Sequence, residues 1–324
     1  MSERHAATQL PQLGPILPPP GDETPAQPSA TPDLEPTSGS TRGSDVRRRM
    51  RRSTFFMVGA VGFAVVVLLC AFGPFVLPFH PNGTDIPSRL VAPEWFAHGL
   101  SGHILGTDAL GRDVLTRVLV GGRTSLFVAL TIVVVTTVIG LVLGLASGYF
   151  GGVLDLVVMR LCDLGLAIPA LLLAIAVAAT IGGGVLNLIV VLSLTGWIMM
   201  ARVVRSTVMS VRNLEFVQAA KVFGLGDVRI IVHDVLPNIV SPMVITATQA
   251  FGAMLLSEAS LSFLGLGIPS PAASWGGMIA DGREYIATAP WVVLAPGLAL
   301  MLAVLAVNYV GDGLNDILNP RRTD

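Results

Sequence analysis

Arg160, Asp163 and Glu258 are charged side chains set deep inside long apolar stretches. A charge held at membrane depth is costly, so each is a candidate for function or for pairing with another group. Arg160 precedes Asp163 by three residues, which puts both on one helix face and fits a local ion pair. Asp163 and Glu258 together suggest the acid and base of a membrane enzyme, but no histidine or serine motif accompanies them. Ser257, Ser260 and Ser262 surround Glu258, and Gly265 and Gly267 follow it. Such residues favour close helix approach and interhelical hydrogen bonds, so Glu258 is expected to face protein or water and not lipid.

Other reactive groups are sparse. The chain has no GxxxxGK[ST] run with which to cradle a triphosphate, and no HExxH, CxxC or GxSxG. His5, His80, His98, His103 and His233 are scattered through loops and the tail, with only His98 and His103 close enough to suggest a shared metal. Cys70 and Cys162 lie in apolar stretches and read as small buried hydrophobes. Neither a catalytic site nor a bound cofactor is indicated, and any energy source must lie in a partner.

The elements that position these residues are set by hydrophobicity. Only 13% of the 324 residues are charged and 52% are hydrophobic, against roughly a quarter charged in soluble chains. Six stretches approach the ~20 residues needed to cross a bilayer: about 55–77, 125–147, 156–181, 185–203, 239–264 and 288–310. This is the pattern of an all-α, polytopic membrane protein. Arg47, Arg48, Arg49, Arg51 and Arg52 precede the first stretch and predict a cytoplasmic N-terminus. An even number of spans returns the C-terminus, with Arg321 and Arg322, to that side. The 204–238 loop is then cytoplasmic, and the 78–124 loop lies outside despite Arg89, Arg112, Arg117 and Arg123.

Residues 1–45, rich in Pro, Thr, Ser and Gly, cannot bury enough surface to fold alone. The expected division is a disordered cytoplasmic tail over 1–50 and a membrane domain over 51–324. In the outer loop, Thr107 or Asp108 is a candidate helix cap, Gly111 permits a tight bend, and Arg112, Asp113 and Arg117 suggest a solvated ion-pair cluster. Gly182, Gly183 and Gly184 make a short hairpin between the third and fourth spans, and residues 148–152 make a short inner turn.

Residues 216–238 interrupt the apolar pattern with a polar, helix-like segment. Phe216, Ala219, Ala220 and Phe223 fall at i, i+3, i+4 and i+7 and share one face. Gly224, Leu225, Gly226 and Asp227 break that helix, and a second amphipathic run ends at Leu236 and Pro237. A membrane protein that holds such a helix–turn–helix in an aqueous loop presents a docking surface to a soluble partner.

That loop resembles the cytoplasmic signature of ABC importer permeases: an acidic residue, Ala-Ala, a glycine four residues later and a terminal Leu-Pro. The matching positions are Gln218, Ala219, Ala220, Gly224, Leu236 and Pro237; Gln218 replaces the acid, and Asp234 stands where a basic or apolar residue is usual. The blocks at 105–126, 148–175, 256–269, 274–279 and 311–321 resemble the dipeptide/oligopeptide/nickel permease family, in its second-permease branch. The resemblance covers about 50–324. It implies a type I importer fold of six transmembrane helices with a cytoplasmic coupling helix, here containing Phe216, Gln218, Ala219, Ala220, Phe223 and Gly224. It also implies a second homologous permease subunit, two cytoplasmic ABC ATPase subunits and an extracytoplasmic substrate-binding protein as partners, with lipid around them and no nucleic acid. Small peptides are the expected cargo, with nickel complexes or another solute as alternatives. In that setting Glu258 would either bond a neighbouring helix or line the pathway and meet a peptide's amino end.

Overall fold

The computed structural model describes residues 50, 53–94 and 102–318. The tail before Met50, the arginines of 47–52, His98, Arg321 and Arg322 lie outside the described residues. Among those described there is no β-strand, only an isolated bridge between Thr107 and Asp113.

The helices are α1 (Thr54–Val76), α2 (Val114–Phe150), α3 (Gly152–Ala167), α4 (Ala170–Ile181), α5 (Val185–Val211), α6 (Glu215–Val222), α7 (Asp227–Phe263), α8 (Trp275–Gly282) and α9 (Trp291–Leu318). Helices α1, α2, α5, α7 and α9 are each long and apolar enough to cross a membrane; α3 with α4 makes a sixth crossing if the pair is taken as one span.

That pair corrects the expectation of a continuous third span over 156–181. The chain turns by 87° between α3 and α4. Pro169 has no N–H to donate and forces Ile168 into extended backbone, φ −108° and ψ 131°, so the helix must end there. A second correction concerns the run expected to end at Leu236 and Pro237. It continues into the fifth span as one helix, through a π turn at Ile231–Val235. The Leu236 N–H donates to the Ile231 carbonyl, an i→i−5 bond that carries the helix up to the proline.

Another proline is accommodated differently. Pro74 in α1 cannot donate to the Cys70 carbonyl, and the freed oxygen is taken by Arg123 of α2, whose Nε lies 2.7 Å away. The same guanidinium bonds the Ala71 carbonyl and lies 4.7 Å from the Phe75 ring centroid. Arg123 thus ties α1 to α2.

Helices α2 and α5 run parallel and pack along their length. Gly140, Gly144 and Gly148 of α2 meet Met200, Ala201, Val204 and Val208 of α5, and a Cβ at Gly144 would sit 2.5 Å from the Ala201 carbonyl oxygen. Small residues at this spacing let two backbones approach in a membrane, where apolar surface alone does not drive association. At one end of the bundle the described residues of the 78–113 loop, among them Leu90, Leu105 and Thr107, pack with α8 against α2, α7 and α9. Trp275, fully buried at the start of α8, donates its indole N–H to the Val118 carbonyl at 2.8 Å. The opposite end carries α6.

Candidate functional site

The segment with the docking signature forms α6 and a sharp turn. Glu215 in its first turn and Lys221 in its last complement the helix dipole. The helix closes in a Schellman motif: Gly224 N–H donates to Lys221 O at 3.0 Å, and Leu225 N–H to Ala220 O at 3.1 Å. This geometry needs the left-handed φ of 75° that Gly224 adopts, and it ends the helix where the sequence led us to expect a break.

The expected four-residue face is divided. Phe216, Ala219 and Phe223 point outward, joined by Val222, with Phe223 83% and Val222 86% exposed. Ala220 turns the other way. With Val217 it enters an apolar cluster containing Tyr149, Val208, Val211, Ile230 and Val235. Gln218 is exposed and donates its amide to the Arg212 carbonyl at 2.8 Å, a bond that a carboxylate at this position would not make.

Three residues that sequence reasoning passed over hold this segment to the bundle. Tyr149, 5% exposed near the end of α2, donates its hydroxyl to Asp227 Oδ1 at 2.7 Å. Lys221 Nζ lies 4.9 Å from the same ring's centroid. Arg212 donates to the carbonyls of Gly148 and Tyr149 at 2.9 and 3.0 Å. The available signal was a lone tyrosine in the 148–152 turn, opposite a loop rich in charge.

Asp163 does not pair with Arg160. It pairs at 2.5 Å with Arg202 of α5, because α3 lies beside α5 and offers Asp163 a partner across the helices. Arg160 is exposed. Asp155 forms a two-pronged pair with Arg205, with Nη2 at 2.6 Å from Oδ2. Arg202, within the expected fourth stretch, was the charge to look for.

Glu258 has no exposed surface. Its Oε1 accepts from Ser262 at 2.8 Å on its own helix, Ser125 of α2 lies beside it, and Oε2 has no hydrogen-bond partner. Ser125 in turn accepts from the Trp275 backbone N–H at 3.2 Å. The carboxylate therefore sits at a polar node where α2, α7 and α8 meet. The expectation that it avoids lipid agrees with this burial. A cleft of about 640 Å³ runs between α1, α2, α7 and α9, lined by Phe63, Leu126, Val133, Met243, Phe251 and Val307, and Glu258 is not on its wall.

The charged cluster of the 78–113 loop is buried, not solvated. Asp108, Arg112, Asp113 and Arg117 are at most 6% exposed. Asp108 accepts from the Leu110 and Arg112 backbone N–H groups at 2.8 and 3.0 Å, and its other oxygen lies 2.6 Å from Arg112 Nε and 3.6 Å from Arg117 Nε. Asp113, and not Thr107 or Asp108, caps the helix: it accepts from Thr116 N–H at 2.8 Å and faces His103 Nδ1 at 2.9 Å. His103 is thus engaged by a carboxylate, and no group of three metal-ligating side chains occurs among the described residues. Beside this cluster a cleft of about 510 Å³ is lined by Arg112, Phe263, Asp281, Arg283, Glu284 and Tyr285.

A bundle of apolar helices with an amphipathic helix held outside it suits a transport permease, and similar sequences name that class. Residues 140–324 match the family described as binding-protein-dependent transport system inner membrane component, and residues 41–93 match the N-terminal transmembrane domain of oligopeptide transport permease C. The di/tripeptide transport system permease protein DppC of Pseudomonas aeruginosa is 39% identical over 265 residues, 82% of this chain and 88% of that protein. The dipeptide transport system permease protein DppC of Alkalihalophilus pseudofirmus is 36% identical over 295 residues, 91% and 95% of the two chains. The nickel transport system permease protein NikC of Escherichia coli is 38% identical over 257 residues, 79% and 91%. The chain belongs to the ABC permease family of dipeptide, peptide and nickel transport, as a multi-pass inner membrane protein. In this family ATP hydrolysis resides on a separate subunit, and a substrate-binding protein is a further partner.

Proposed function

We propose that this chain is one of two permease subunits of an ATP-driven importer of dipeptides or oligopeptides, working by alternating access. The single observation that carries the mechanism is the outward apolar face of Phe216, Ala219, Val222 and Phe223 on a helix that is itself anchored to the bundle. An ATPase subunit docks on that face in the cytoplasm, and its closure on ATP tilts the helices. The cleft between α1, α2, α7 and α9 supplies this subunit's part of the pathway, completed by the second permease. The binding protein delivers cargo at the opposite end, over the cleft beside Arg112 and Asp281.

Peptide cargo is favoured by the relatives named for di/tripeptides and dipeptides, which match most of the chain. The nickel-named relative supports a second reading at nearly the same identity. Mass spectrometry of the ligand retained by the cognate binding protein separates the two. A peptide is expected; a nickel complex in its place overturns the peptide assignment.

We infer that both termini lie in the cytoplasm, from the arginine cluster at 47–52 and an even number of spans. In a variant without Cys70 and Cys162, single cysteines at Ser40 and Thr323 should escape an impermeant thiol reagent on intact cells. Strong labelling at either position sinks this orientation.

Glu258 is assigned to holding α2, α7 and α8 together, and not to touching cargo. Glu258→Gln keeps volume and the Ser262 bond, so uptake should stay within about twofold of the parent. Glu258→Ala leaves a cavity and an abandoned Ser262 hydroxyl, at a cost of about 2–4 kcal/mol, seen as a lower denaturation midpoint of the purified protein. If the Gln variant is as damaged as the Ala variant, or loses uptake of free peptides while keeping N-blocked ones, the charge itself is needed and the assignment is wrong.

A further inference from the structure

Helix α6 is joined to the bundle through two chain connections. One is the short 212–214 link from α5. The other is the Gly224-Leu225-Gly226 turn into α7, with a left-handed glycine and open space around both glycines. Glycine joints transmit force poorly unless something braces them. Tyr149 contacts both sides of this joint. Its ring lies under Lys221, just before the turn, and its hydroxyl bonds Asp227, just after it. Arg212, at the other connection, bonds the carbonyls of Tyr149 and Gly148, and Gln218 of α6 bonds Arg212 in turn.

The far side of this knot is rigid. Tyr149 belongs to α2, which is seated along α5 by the Gly140, Gly144 and Gly148 contacts. A push on α6 therefore reaches a transmembrane helix over one buried side chain. Val217 and Ala220 also pack here, but apolar contacts are non-directional and allow sliding, whereas a hydrogen bond to a carboxylate fixes position.

We propose that Tyr149 is the positioning residue that braces the glycine joint of the coupling segment and makes α6, the start of α7 and the end of α2 move as one unit. This rests on the reading of α6 as the ATPase contact. It adds the route by which the displacement enters the membrane.

Tyr149→Phe removes the hydroxyl and keeps the ring under Lys221. Asp227→Ala removes the acceptor. Each is introduced into the complete complex in proteoliposomes, with radiolabelled dialanine as probe, and the dialanine taken up per ATP hydrolysed is measured. Each variant should retain its ATPase subunits and lower that ratio about tenfold, the weight of one hydrogen bond to a carboxylate. The double variant should fall no further, because both changes remove the same bond. A second readout needs no cargo. Spin labels at Val142 on α2 and Glu215 on α6 should keep one narrow separation with and without vanadate-trapped nucleotide in the parent, and a broadened one in Tyr149→Phe. An unchanged uptake ratio, additive losses, or an unaltered separation in the variant overturns the brace. Failure of the underlying reading shows elsewhere: the ATPase would stay bound after Ala219→Glu on the outward face, whatever happens at Tyr149.

Discussion

Ala219→Glu is expected to abolish ATP-dependent uptake while leaving the protein inserted and folded, with the ATPase subunits lost from the purified complex. Ala219 is exposed on the outward face between Phe216 and Phe223, so the added carboxylate points away from the packed bundle. It would instead be buried unpaired at the centre of an apolar contact, where single residues carry about 2 kcal/mol or more of binding. Neighbouring Ala220 gives the contrast. Ala220→Glu drives a charge into the cluster formed by Val217, Tyr149, Val208 and Ile230, and should lower the yield of folded protein before docking is tested. Pull-down of the ATPase, with thermal denaturation of each variant, checks both. If Ala219→Glu retains the ATPase and transports normally, α6 is not the coupling surface.

The second large effect is expected at the other end of the molecule. Asp108→Asn removes the carboxylate charge that two buried guanidinium groups share. Breaking a buried pair from one side costs about 3–5 kcal/mol, because the charges left behind cannot recover their hydration. Asp108 also accepts two backbone N–H groups in the turn that leads to Gly111, whose φ of 74° brings its Cα against the Asp85 carbonyl. The 78–113 loop should loosen as a unit, seen as a marked drop in the denaturation midpoint and as faster proteolysis between Pro81 and Asp113. Asp281→Asn is the comparison: Asp281 lines the same hollow and acts on Arg117 by charge, but from an exposed position, so its loss should cost less than about 1 kcal/mol. Equal effects from the two variants would mean that the cluster is not a buried electrostatic core.

The apolar spans and the short polar helix α6 were readable because their signals are local. A run of apolar residues fixes a membrane helix, and glycine after a polar helix fixes its end, as at Gly224. The break at Pro169 was also written in the chain, in the middle of an expected span. What stayed hidden depends on which elements lie side by side. Asp163 and Arg160 satisfy the spacing for a local pair, yet α5 brings Arg202 to Asp163 across 39 residues of sequence. Ala220 lies at the edge of the stripe made by Phe216, Ala219 and Phe223, and the position of the bundle beneath decides which way it turns. A dense set of charges such as Asp108, Arg112 and Arg117 reads as solvated until the loop that covers it is seen. Tyr149 gave no pattern of its own, since its partners Lys221 and Asp227 are more than 70 residues away.

The most direct test of the account is uptake by the complex reconstituted in proteoliposomes with the partner permease, both ATPases and the binding protein, using radiolabelled dialanine and a nickel complex in parallel. The account predicts accumulation of dialanine that requires ATP and the binding protein and is lost in Ala219→Glu. Accumulation of nickel without dialanine, or dialanine uptake that is indifferent to ATP, would contradict it.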